Sequence, residues 1–568
     1  MKLKSEQIER LLWALAISLA LLLRLVKLGT APLTDFEALN ALPVFNWLQN
    51  GLVPNGSQAA YTLFSGLVFY LFGSTNFAAR FIPALTGSLL VLAPLLFRGQ
   101  LGRRPALIAA FGLAIDPVLV VISRQADGSN WAIAFTLFAI GFMLNRRFVW
   151  SGIFFGMALL GGPNLWMGWL GLGVAIFASN RKHSSGEVDA IQNGHPARLF
   201  EPRVISAAAL TLVAVGTFFL FAPFGLSMAA GSLPEFLRSW TQNSYFTIQT
   251  AAIALLSYTF LPFILGTIQS ISGWRDKDKI DQFLTIWVVV ALLLWFACRG
   301  RVMGYAGWVM IPLWVLAARQ IAVWLRKPEF DVRFTAAMAA VVFVLLFFII
   351  LNAVGILHPA AWSAETNLQI VKIVVAFVLL GLAIVLVGWG WNWSAARQGV
   401  QWASGAALLL ILVSMSLRAG GLGVRPQTEL WRSGAYFVDA DLLDKTLHDL
   451  SIYKSGEVNR LQVSVVGIQS PMVKWILRDF SNVQYSDRIS MQESPDIILT
   501  NDQTQPGQIS TYRGQDFVLS VQPAWSLMIG SNWSNWLVFR EAPQETTKFI
   551  LWARTDLFPG EPAVLTNP

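Results

Sequence analysis

Apolar runs of roughly 17–25 residues recur along this chain from Leu11 to about Leu417, parted by short polar or basic connectors. Runs of that length in series mark a polytopic α-helical membrane protein. Charge points the same way. Only 13% of the 568 residues are charged, about half the share usual in soluble domains. The net charge of +9 therefore reads as positive-inside loop residues, and no nucleic-acid partner is expected. The single cysteine, Cys298, lies in an apolar run, which excludes a disulfide framework. The N-terminus, "MKLKSEQIER", is basic ahead of its apolar run, as in a signal peptide. The run is long and no small-residue cleavage site follows, so an uncleaved first helix is expected.

The basic connectors set the orientation. Residues 98–105, 145–148, 181–203, 273–281, 326–333 and 394–398 all carry Lys or Arg, and they go to the cytoplasm with the N-terminus. Threading succeeds if "YTLFSGLVFYLFG" (Tyr61–Gly73) does not cross, because it is too short to span the hydrocarbon core. About 13 spans follow from the count of apolar runs. They fill residues 1–417, with residues 29–78 as a first external loop carrying two surface-lying helices. One of these starts near Asp35, and the other is Tyr61–Gly73. After residue 417 the composition turns polar, and short β-rich runs appear: "LQVSVVG", "DIILT", "DFVLSV", "WLVFR" and "FILWAR". With the helically spaced "SPMVKWILRDF", they predict an external α/β domain over 418–568.

This threading collects Asp35, Glu37, Asp127, Arg299, Arg301, His358 and Glu365 at one membrane face. In "LTDFEALNAL", Asp35 or Thr34 could cap a helix. The sharper reading is a general base that deprotonates an acceptor hydroxyl or amine. Asp35 and Glu37, two apart, need not share a face, so only one need point at a substrate. Asp127 in "SRQADGSNWA" carries the same two readings, a cap or a second acid that orients the acceptor. Arg299 and Arg301 break the positive-inside pattern, and a planar guanidinium suits phosphate oxygens. Headgroup anchoring is the plain alternative. Arg24 and Lys27, near the external end of their span, raise the same question, and Arg80 could reach the same surface. For metal, only His358 reaches this face, and Glu365 seven residues on gives no recognised ligand spacing. No phosphate-binding loop, dinucleotide fingerprint or nucleophile elbow is present.

The stretch "RLVKLGTAPLTDFEALNA" resembles the opening of glycosyltransferase family 39. These are GT-C membrane enzymes of the protein O-mannosyltransferase and aminoarabinose transferase type. The matching residues are Arg24-Leu25, Leu28-Gly29 and Asp35-Phe36-Glu37-Ala38, with Phe36 splitting the usual acidic dipeptide. Asp35 keeps the spacing from the Leu-Gly. The likeness continues through "LFGSTNFAARFIPAL", then Arg124 and Asp127, then Arg301, Tyr305 and Pro312. Two features are missing: a His-Pro gives way to "NGSQAAY", and a Lys-Gly to "GGPNLWMG". The similarity covers roughly the first 320 residues, and the C-terminal part looks like the external domain of a related prokaryotic branch.

The resemblance implies a polyprenyl-phosphate-linked sugar as donor and a single inverting displacement at the external face of the plasma membrane. The acceptor would be a protein, a lipid or a polymer. Asp35, Glu37 and Asp127 would be the catalytic acids. Arg24, Arg80, Arg124, Arg299, Arg301 and Tyr305 would bind substrate. No cofactor is required by such chemistry; a divalent metal at His358 and Glu365 is the weaker expectation. The alternative is a non-enzymatic protein of the same fold that assists lipid-linked sugar transport. Polar residues gathered at one surface, with no internal repeat, favour the enzyme over a transporter.

Overall fold

The computed structural model describes residues 5–183, 201–244, 246–325, 332–357, 364–423, 425–432, 434–488, 494–501 and 511–558. The chain opens with α1 (Ser5–Leu25), long enough at 1.5 Å per residue to reach about 31 Å. Two short helices follow, α2 (Asp35–Asn50) and α3 (Ala59–Phe72). A capping box starts α2: Thr34 accepts from the Glu37 backbone while the Glu37 side chain reaches back to the Thr34 backbone. Gly51, at φ 66°, ends it in the left-handed region. At 14 residues α3 is far short of a bilayer, as its sequence predicts.

The chain then rises through α4 (Asn76–Leu89) and α5 (Ala93–Leu96) and turns at α6 (Arg98–Leu101). It returns through α7 (Arg103–Ile115) and α8 (Pro117–Ser123), which meet at a 57° bend. Asp116 and Pro117 make that bend. The proline is fixed at the first helical position of α8, and Asp116 caps it by accepting from the Leu119 N–H at 2.8 Å. The other Asp116 oxygen accepts from the Trp314 indole at 2.7 Å.

Next come α9 (Ser129–Leu144), α10 (Phe148–Ala158), α11 (Pro163–His183), α12 (Pro202–Gly216) and α13 (Phe224–Ser239). Gly152 and Gly156 let α10 ride on the backbone of α12: a Cβ there would sit 2.4 Å from the Val204 carbonyl and 2.6 Å from that of Ala208. This is the small-xxx-small contact of helices packed without a hydrophobic driving force. A second bent pair, α14 (Ile248–Tyr258) and α15 (Phe260–Arg275), turns by 82° at Thr259. The remaining helices of this part are α16 (Lys279–Ala297), α17 (Met303–Trp324), α18 (Val332–Ile356), α19 (Ala364–Gly390) and α20 (Trp393–Leu417). Among the described residues six helices are long and apolar enough to cross a bilayer, or eight if each bent pair is one span. The expected 13 rested on counting apolar runs. Several of those runs fold instead as helices of 11 to 16 residues, α9, α10 and α12 among them.

The C-terminal part is a five-stranded mixed sheet with order β2-β1-β3-β5-β4. Its strands are β1 (Gln462–Val466), β2 (Asn482–Ser486), β3 (Ile497–Asn501), β4 (Tyr512–Pro523) and β5 (Gln544–Arg554), and its helices α21 (Ala440–Ser455), α22 (Pro471–Ile476) and α23 (Gly530–Phe539). β1 runs parallel to β2 and β3, whereas β5 is antiparallel to β3 and β4. Val463, Val465, Ile497 and Leu499 are buried in one core with Leu443 of α21 and Trp475 of α22. Two details differ from the sequence reading. "WLVFR" closes α23 and is not a strand, because Trp533 and Trp536, three apart, share a helix face and pack on Trp525. The edge strand β2, mostly exposed, lacks the apolar alternation that would have marked it.

The sheet domain and the apolar helices share their cores. Phe45 of α2 and Phe69 of α3 pack their rings 6.5 and 6.0 Å from Trp475. Some distance away Trp536 of α23 sits against Tyr258, and its indole donates to the Thr428 carbonyl at 2.7 Å.

Candidate active site

Three of the expected substrate arginines turn out to hold the backbone together. The bend between α7 and α8 frees the last carbonyls of α7, and Arg24 is buried against them. Its guanidinium donates to Leu113 and Ala114 at 3.0 Å each, and to the Ser123 hydroxyl at 3.0 Å. Arg124 does the same for the end of α1, donating to the carbonyls of Leu23, Arg24, Val26 and Lys27. Arg80 commits every N–H it has. Nε and Nη2 meet the two Glu37 oxygens at 2.6 and 2.8 Å, and Nη1 and Nη2 take the carbonyls of Leu28, Ala31 and Pro32. Arg24 and Arg80 thus spend these donors on the protein's own carbonyls and carboxylate.

Glu37 is the partner that makes this possible. It is buried, and besides Arg80 it accepts from the backbone N–H of Thr34 and of Ala126. Burial alone would raise its carboxyl. The charge and hydrogen bonds of Arg80, the Thr34 N–H and nearby Arg432 outweigh that and hold it below its ordinary value. An acid so held is a weak base.

Asp35, the first residue of α2, points at the sheet domain. One of its oxygens accepts from the Ser470 hydroxyl at 2.6 Å and from the Met472 N–H at 2.9 Å, so it caps α22 from across the interface. Of the two caps read from the sequence, Thr34 serves α2 and Asp35 serves another helix. Loss of that cap by Asp35→Ala should cost about 1 kcal/mol, and Asp35→Asn, which keeps an acceptor, only a few tenths. Hydrogen exchange over residues 470–480 reads the difference, and equal protection in wild type and the Ala variant would sink the latch.

Asp127 differs from both. Its loop is pinned by α2, where Glu37 takes the Ala126 N–H and Asn40 donates to the Ala126 carbonyl at 2.8 Å. Gln58 accepts from the Gly128 N–H at 2.8 Å. The Asp127 carboxylate is buried, accepts from the Ser129 hydroxyl, and pairs with no cation among the described residues. Burial pushes its carboxyl above the ordinary value, against the hydrogen bonds of Ser129, Gly128 and Gln58.

The start of α17 comes up to this carboxylate, since a Cβ on Gly304 would lie 3.5 Å from an Asp127 oxygen. The next residue, Tyr305, is buried, as is Arg301 ahead of the helix. Arg301 donates to the carbonyls of Phe246 and Phe296, and its Nε is buried without a partner among the described residues. The Arg299 side chain is exposed. So Asp127 and the start of α17, which carries Tyr305, belong to one neighbourhood, whereas the Asp35 carboxylate is spent on the sheet domain.

No family model matches the chain, and no curated protein does. Solved structures do. The crystal structure of ArnT from Cupriavidus metallidurans bound to undecaprenyl phosphate aligns with a TM-score of 0.58 at 15% identity, over 96% of this chain and 99% of that one. The apo structure of the same protein gives 0.54 and 14% over the same shares. The chain has the ArnT fold. This is the GT-C fold that the sequence resemblance implied, and the match runs through the sheet domain as well as the helices.

His358 lies outside the described residues, and Glu365 is exposed at the start of α19. No three His, Cys, Asp or Glu side chains converge among the described residues as a cation would need. Sequence reasoning also missed residues. Gln58 and Arg432 carried no motif, and Arg432 was counted with the sheet domain although it faces the helices beside Glu37.

Proposed function

We propose that the protein is a membrane glycosyltransferase that moves a hexose or pentose from a polyprenyl-phosphate donor to an acceptor hydroxyl or amine. The observation that carries this reading is the buried Asp127 carboxylate, paired with no cation among the described residues and met by the start of α17 at Gly304, in a chain of ArnT fold. A solved relative of that fold is bound to undecaprenyl phosphate, which supports the donor class. In the reaction the acceptor oxygen or nitrogen attacks the anomeric carbon and gives its proton to Asp127. The bond from that carbon to the phosphate oxygen breaks, and the electron pair leaves with polyprenyl phosphate. One displacement inverts the anomeric centre. The Arg301 Nε, unpartnered among the described residues, the exposed Arg299 guanidinium and the Tyr305 hydroxyl are the donors for charge growing on the departing phosphate. Asp35 and Glu37 act through structure in this scheme.

The acceptor is a protein, lipid or polymer reached at the outer face of the plasma membrane, with the N-terminus cytoplasmic. The basic connectors support that orientation. A cysteine at exposed Ser455, in a chain with Cys298 replaced, should react with an impermeant thiol reagent on intact cells. Labelling only after lysis would reverse the topology.

The activity is tested by incubating the purified full chain with polyprenyl-phosphate hexoses and pentoses and a mixed acceptor extract. Release of polyprenyl phosphate that depends on acceptor is the expected result. Donors that bind tightly across the panel and are never cleaved would instead indicate a carrier-handling protein.

A further inference from the structure

A crevice of about 80 Å³ opens where the end of α1, the end of α8 and residues 419–432 meet, its wall including Arg124 and Gln125 of the loop that leads to Asp127. Its charged lining is Lys27, Arg80, Arg124 and Arg432 against Glu37 and Glu429, four cations to two carboxylates, for a net of +2. Both carboxylates are already matched. Glu37 is held by Arg80 at 2.6 Å, and Glu429 by Arg540 from outside the crevice at 2.9 Å. The surplus charge therefore rests on Lys27, Arg124 and Arg432. The Lys27 side chain is exposed at the mouth. Arg432 lies with its guanidinium 4.5 Å from the centre of the Tyr436 ring, and its Nε is buried with no hydrogen-bond partner among the described residues. A buried charged donor left unmatched is costly unless a ligand takes it.

We propose that this crevice binds a phosphate-bearing anion, held by Arg432 and Lys27 in the field of Arg124. The planar fork of Arg432, stacked on Tyr436, suits two phosphate oxygens, and Lys27 supplies a point charge at the entrance. Burial lowers the Arg432 guanidinium to about 10, so it stays charged at neutral pH. The site lies at the ends of the apolar helices α1 and α20, at the level where a lipid headgroup would present its phosphate. It joins the helices to the chain that leads into the sheet domain, so its ligand would fasten the two. The inference stands apart from glycosyl transfer and can hold if that reading fails.

The test is calorimetric titration of the full chain in neutral detergent with inorganic phosphate, short-chain phosphatidic acid and short-chain phosphatidylcholine. Phosphatidic acid should bind at one site, more weakly as salt rises, and phosphatidylcholine should not. Arg432→Gln and Lys27→Gln should each weaken binding by about 10- to 100-fold, the share of one charged hydrogen bond. Phosphatidic acid binding more tightly than inorganic phosphate identifies a lipid headgroup, and equal binding identifies free phosphate; both support the site. Lys27 is exposed, so its variant will fold even if Arg432→Gln does not. Unchanged affinity in the Lys27 variant, or no anion binding to the wild type, would overturn the proposal. Competition by polyprenyl phosphate would overturn its separation from the donor site.

Discussion

Asp127→Asn should lower sugar transfer by about 10²–10⁴-fold, the usual share of a general base, while donor binding survives. Asparagine keeps the size and can still accept from Ser129, so the loop pinned by Glu37, Asn40 and Gln58 stays in place. What it loses is the basic lone pair. Asp35→Asn in the same assay should leave turnover within a few-fold of wild type, because its carboxylate caps α22 and asparagine keeps an acceptor there. The pH profile supplies a second check. The Asp127 carboxyl is raised by burial, so the active, ionised form should appear only above the ordinary carboxylate range. Stability has the opposite slope from this group. Its native pKa exceeds the unfolded value, so the native state holds the proton longer and loses stability as pH climbs through that window. An Asn variant that turns over at the wild-type rate, with matched folding and donor occupancy, would move the base elsewhere.

The second large effect is on folding. Glu37→Ala should destabilise the chain by about 3–5 kcal/mol, because it leaves the buried Arg80 charge without its counter-ion. Swapping both partners for apolar residues often rescues a buried ion pair, but it will not do so here. The carbonyls of Leu28, Ala31 and Pro32 take their hydrogen bonds from Arg80 and would be orphaned in the double variant. A double-mutant cycle read by thermal unfolding in detergent measures this. The pH sign is the reverse of that for Asp127. The native Glu37 pKa lies below the unfolded one, so its contribution is intact above the ordinary carboxylate range and is lost as pH falls through the native value. Full stability of the Glu37→Ala/Arg80→Met pair would show that the carbonyls find water instead.

The sequence carried the layout of this molecule further than its chemistry. Hydropathy and length alone separate the short α3 from the spans, because the bilayer sets a threshold that a 14-residue helix cannot meet. The same logic says less where a run contains a break. "AIDPVLV" holds the Asp116–Pro117 bend in plain view, yet nothing local says that the carbonyls it frees will claim Arg24, 89 and 90 residues away. The acids show the same limit. Thr34, Glu37 and the helix start they make are local, and the sequence displays them. The Arg80 partner is 43 residues distant, and the Ser470 partner of Asp35 is 435 away. An acid two residues from another acid reads as a pair; in the structure one braces a loop and the other caps a helix of the sheet domain. Asp127 was legible as an acid at the loaded face. Its want of a cation was not, since solitude is a property of the surroundings.

The distance from Asp35 to Ser470 also sets a schedule for biogenesis. Ribosomes add roughly 5–20 residues per second, so about 20–90 s separate the emergence of Asp35 from that of the residue it caps. Through that interval α2 and α3 stand finished at the membrane with Phe45 and Phe69 uncovered, awaiting Trp475. A nascent chain stalled before residue 470 should therefore be held by membrane-bound chaperones at this patch and released only when the sheet domain arrives.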